Sequence, residues 1–87
     1  MDTYKNVESL HLKALKIREK FLGKNHPDTA QSYNSLAIFY YSQKQYLRAY
    51  EYIKKTIEVR LKVLPNRHPD LIDSQKWMDR IKGKVGL

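Results

Sequence analysis

Apolar residues recur along the chain at intervals of three and four. Between Tyr4 and Leu22 they fall at Val7, Leu10, Ala14, Ile17 and Phe21, with Leu15 and Leu22 widening the stripe, which is the spacing of one helix face. Gly23 stops this first helix, and Pro27 starts the next at its first position, where a missing N–H costs nothing. Asp28 then stands in the first turn, where the helix dipole favours an anion. A third helix turns Ala49, Ile53, Ile57, Val63 and Leu64 inward and ends at Pro65. Pro69 and Asp70 open a fourth, which Gly83 closes. The pattern predicts an all-α chain of four antiparallel helices over 3–22, 27–43, 46–64 and 69–83.

Laid against itself with a shift of 42 residues, the chain matches over most of its length. The segment from Lys20 to Asp28 falls on Lys62 to Asp70, both ending in His-Pro-Asp. Tyr4 meets Tyr46, Lys13 meets Lys55, Arg18 meets Arg60 and Ser32 meets Ser74, while Leu15, Ile17 and Leu22 meet Ile57, Val59 and Leu64. A fixed period in this range signals a solenoid, in which each unit buries its apolar face by stacking on the next.

Tyr33, Leu36, Ala37 and Tyr40, followed by Tyr46, Ala49 and Ile53, give the tetratricopeptide pattern of aromatic, Leu, small and Tyr, then small and bulky at set intervals. With the long period and the repeated His-Pro-Asp, the chain resembles the 42-residue repeats of kinesin light chain, from Tyr4 to about Ile81. The resemblance implies a non-catalytic protein-interaction scaffold whose first helices line a concave face. Its groove positions fall on Gln31, Asn34, Ile38, Tyr41 and Ser42 of the second helix, and on Asp73, Lys76 and Arg80 of the last. Asn34 matches the Asn that hydrogen-bonds an extended peptide backbone in the family, since an amide both donates and accepts. Lys76 and Arg80 are four apart on one helix face and suit an acidic side chain or a C-terminal carboxylate. The expected partner is therefore a peptide segment or helix, acidic in character.

The sequence divides into a half unit (3–26), a full unit (27–68) and a closing half unit (69–83). In the last helix Gln75, Met78, Asp79 and Lys82 replace the aromatic, Leu, small and Tyr of the motif. A carboxylate at the small position prevents close helix contact, so this helix is expected to act as a solvating cap. Leu71, Ile72, Met78 and Ile81 would face inward, with Asp73, Lys76 and Arg80 outward. The opening helix is a second helix whose own first helix is not in the sequence. Leu10, Ile17 and Phe21 then need cover, and self-association through them, as a symmetric dimer or by helix exchange, is the expected remedy.

Composition narrows the functional classes. The chain has 87 residues, long enough for one modest core, and no Cys, which excludes disulfides and a thiol nucleophile. No apolar run reaches the roughly 18 residues of a membrane span, and the charged N-terminus lacks a signal-peptide core, so a cytoplasmic setting is expected. A formal charge of +8 favours acidic partners. It also raises an alternative, nucleic-acid binding through Lys13, Lys16, Lys20, Lys55 and Lys62, which would lie on the convex back.

Candidate chemistry is sparse. His11, His26 and His68 show none of the close pairing a zinc site requires, so no metal or cofactor is implied. The two His-Pro-Asp tripeptides are also the functional loop of J-domain co-chaperones, but their recurrence at each helix start points to capping. Six of seven tyrosines lie between Tyr33 and Tyr52; Tyr33, Tyr40 and Tyr46 hold packing positions, while Tyr41, Tyr50 and Tyr52 are less accounted for, and any of them could be exposed to contact a partner.

Overall fold

The computed structural model describes residues 2–86. It contains α1 (Asp2–Leu22), α2 (Pro27–Ser42), α3 (Tyr46–Val63) and α4 (Pro69–Val85), each packed on the next, with α2 against α3 the most extensive contact. The resulting slab measures 41 × 35 × 17 Å. Ala30, Ala37 and Ala49 are fully buried between α2 and α3, where small side chains let the backbones approach around Leu36 and Ile53.

Each unit begins with the same device. The Nδ1 of His26 accepts from the Asp28 N–H at 3.0 Å, and the Nδ1 of His68 accepts from the Asp70 N–H at 3.0 Å. Histidine is thus the N-cap, and Pro27 and Pro69 follow it where no donor is lost. An arginine from the preceding helix completes the junction. Arg18 Nη1 donates to the Asp28 carbonyl (2.9 Å) and the Ser32 hydroxyl (3.0 Å). Arg60 Nη1 does the same to the Asp70 carbonyl (2.9 Å) and the Ser74 hydroxyl. The two junctions are one structure repeated at the sequence period.

Three expectations are corrected. Gly83 does not close α4; the helix continues to Val85, and Gly86 at φ 78° supplies the left-handed residue that ends it. A helical Gly costs about 1 kcal/mol against Ala, but it terminates a helix only where the backbone turns left-handed. Ile72 does not face inward: it is 40% exposed, because it lies on the flank of α4 that also carries the exposed Gln75 and Asp79, while Leu71 and Ile81 are buried. Tyr41, Tyr50 and Tyr52 are not exposed rings; all three are half-buried, with one side packed against the core. In α1 the residue sent into the core is Leu15, one of the stripe's flanks, and Leu12 packs beside it.

The turn after α2 offers a direct stability test. Gln45 N–H bonds the Tyr40 carbonyl (2.9 Å) and Lys44 N–H the Tyr41 carbonyl (3.0 Å), a Schellman closure with Lys44 at φ 60° where glycine is usual. Lys44→Gly is expected to stabilise the chain by about 1 kcal/mol in urea denaturation, since it removes the left-handed penalty of a side chain. A loss of stability would show that the Lys44 side chain contributes more than the strain costs.

Candidate functional site

The residues expected on the concave face come from two helices one period apart. Gln31, Asn34 and Ile38 on α2 correspond, one period later, to Asp73, Lys76 and Arg80 on α4. Tyr41 joins the two, its ring meeting Trp77 edge-on at 5.3 Å and Tyr46 at 5.4 Å. The Arg80 guanidinium lies over the indole of Trp77, 5.0 Å from the ring centroid. A half-buried aromatic pair thus sits at the α2–α4 seam, with a cation held above it.

The α2 positions differ in openness: Gln31 and Ser42 are exposed, Ile38 and Tyr41 half-buried, and Asn34 buried. The Oε1 of Gln31 accepts from Arg60 Nη2 at 3.2 Å, which ties it to the α3–α4 junction. Asn34 is buried, and its Oδ1 has no hydrogen-bond partner. Ile38 and Tyr41 are half-buried, and the Ser42 hydroxyl donates to the Phe39 carbonyl at 2.6 Å. A buried amide oxygen without a partner costs on the order of 1–3 kcal/mol, and Asn34 holds one such acceptor beneath the face.

On α4 the three predicted residues are exposed. Among the described residues no ion pair involves Lys76 or Arg80. The repeat does not single out Trp77, because its repeat mate is Ser35 and the period marks nothing there. The signal that does point to it is its place three residues before Arg80, on the same side of the helix.

The opposite side holds an internal network. Tyr33 Oη donates to the Glu19 carboxylate (2.7 Å) and Tyr40 Oη to that of Glu8 (2.6 Å), with Arg48 3.5 Å from Glu8. Tyr52 lies between them, stacked on Tyr40 at 5.6 Å and tilted against Tyr33 at 6.3 Å. Lys55 sits over Tyr33 and Tyr52. Burial, followed by the bond to Glu8, pushes the Tyr40 phenol up to about 12, and burial with the bond to Glu19 raises Tyr33 further. Burial also lowers Arg60, partly offset by Asp70 and Asp73. These rings hold α1, α2 and α3 together.

Among the described residues no helix is long and apolar enough to cross a membrane. The sequence model of the family described as Tetratricopeptide repeat matches residues 1–62, which covers α1, α2 and nearly all of α3. No curated protein matches the chain significantly.

Proposed function

Since the chain belongs to the tetratricopeptide repeat family, whose repeats generally mediate protein–protein interaction, we propose that it holds an acidic segment of a partner protein on the face shared by α2 and α4. The observation that carries this reading is the pair of exposed cations, Lys76 and Arg80, without carboxylate partners among the described residues and flanking Trp77 at the seam. A carboxylate from the partner would complete what the chain leaves open, with Arg80 presenting its planar fork above the indole. Asp73, a turn earlier, repels negative charge, so the acidic end of the segment lies toward Arg80. Tyr41 and Trp77 supply the apolar floor. The 42-residue period and the histidine caps support the kinesin light chain-like variety of the repeat. A face this short gives modest affinity unless neighbouring modules add to it.

Trp77 is the single tryptophan of the chain and makes the reading testable. Titration with a synthetic peptide ending in several Glu residues is expected to change its fluorescence, with affinity falling steeply as salt rises. Lys76→Glu with Arg80→Glu should weaken binding about tenfold or more while leaving the far-ultraviolet circular dichroism intact. An unchanged affinity in that variant would remove the acidic-segment reading.

A further inference from the structure

The exposed stripe on α1 is the counterpart of a surface that the fold closes elsewhere. One period on, Leu10, Ala14 and Ile17 correspond to Tyr52, Thr56 and Val59 of α3. Thr56 is fully buried, Val59 is 6% exposed, and Tyr52 lies against Tyr33 and Tyr40 of α2. On α1, Leu10, Ile17 and Phe21 are instead 67%, 59% and 74% exposed. The arginine–serine junction is the same for α1 on α2 as for α3 on α4, so the position α2 takes on α3 has an equivalent on α1. A helix laid there would carry small residues and aromatics at the spacing of Ala30, Tyr33, Ala37 and Tyr40.

Charge refines the occupant. Lys13 and Lys20 stand three or four residues from Leu10 and Ile17 and border the stripe. Both are exposed, and among the described residues neither is in an ion pair. The carboxylates of α1 that could have answered them, Glu8 and Glu19, accept from Tyr40 and Tyr33 on the other side. Two copies of this face would oppose lysine to lysine in a chain already at +8. The alternative surface of a second copy, the flank of α4, presents Gln75, Asp79 and Lys82 where α2 has Tyr33, Ala37 and Tyr40. We infer that the Leu10–Ile17–Phe21 face of α1 docks an amphipathic helix of another protein, with a small-and-aromatic face and an acidic edge.

This site is separate from the α2–α4 face and is tested separately. Two synthetic peptides would keep Ala, Tyr, Ala and Tyr at the spacing of residues 30, 33, 37 and 40, with the remaining surface rich in Glu in one and in Lys in the other. Titrated into isotope-labelled chain, the Glu peptide is expected to shift amide resonances along α1 between Leu10 and Phe21, and the Lys peptide to bind about tenfold more weakly or less. Leu10→Lys with Ile17→Lys should weaken the Glu peptide's binding, read from the α1 resonances, about tenfold or more, whereas Lys76→Glu, which alters the α2–α4 face, should leave the α1 shifts and the affinity read from them unchanged. Phe21→Glu, at the most exposed of the three positions, serves if the double variant loses helicity. The inference fails if neither peptide perturbs α1, or if the affinity survives these substitutions. It also fails if sedimentation shows a dimer, or cosedimentation with anionic phospholipid vesicles, that Leu10→Lys with Ile17→Lys abolishes, because the face then belongs to a second copy or to lipid.

Discussion

Replacing Arg60 by Ala is expected to cost about 3 kcal/mol and to loosen α4 as a unit. The guanidinium is 3% exposed and donates to three acceptors on two other helices: the Asp70 carbonyl and Ser74 hydroxyl on α4, and the Gln31 amide oxygen on α2. Hydrogen bonds to a charged donor contribute roughly 1.5–3 kcal/mol, and truncation also opens a cavity beside the buried Ser74, which keeps only its own bond to the Asp70 carbonyl. Arg18 makes the corresponding bonds at the first junction but is only half-buried and lacks the third acceptor, so Arg18→Ala should cost about 1 kcal/mol. Urea denaturation of the two variants measures the difference, and hydrogen exchange should show the loss of protection in Arg60→Ala concentrated in α4. Equal costs at the two sites would mean that burial and the Gln31 bond add nothing.

Both arginines are legible in the sequence, because Arg18 and Arg60 coincide at the repeat period, as do Ser32 and Ser74. What the period cannot contain is the contact itself: the donor and acceptor are 14 residues apart, on different helices, and meet through the turn geometry set by the histidine caps. The same distinction explains the site. Helical spacing places Asn34 on the groove stripe, but whether a stripe residue is open depends on how closely neighbouring helices approach, and Asn34 is buried. The four elements are legible because proline, histidine and glycine punctuation agrees with the apolar spacing. The end of α4 is ambiguous in sequence because two glycines lie near it, and only backbone φ distinguishes the one inside the helix from the one that stops it. In α1 the stripe is real, yet it marks the uncovered face; the contact with α2 uses Leu12 and Leu15, whose neighbours Glu8 and Glu19 look polar in sequence but are bonded to tyrosines.

Those tyrosines make the fold sensitive to alkali. Tyr40 is 3% exposed, and its hydroxyl donates to a carboxylate, so ionisation would bury one negative charge beside another. Burial first, and then Glu8, raise its pKa from the ordinary value near 10 to about 12. The folded state therefore holds this proton more tightly than the unfolded chain. Its contribution is fully present below pH ~10, where both states are protonated, and is lost as pH rises from ~10 through ~12. For Tyr40 alone the loss is about 2–3 kcal/mol, and Tyr33, raised further by burial and Glu19, extends it to higher pH. Stability from urea denaturation should stay nearly flat between pH ~7 and ~9 and fall across that window. Tyr40→Phe keeps the ring against Tyr52 and removes the titrating hydroxyl. At neutral pH it should cost about 1 kcal/mol, since Glu8 keeps Arg48 nearby, while its alkaline loss should be smaller than that of the unaltered chain by the Tyr40 share. A spectrophotometric titration in which every tyrosine of the folded chain ionises near pH ~10, or parallel pH profiles for the two proteins, would contradict the account.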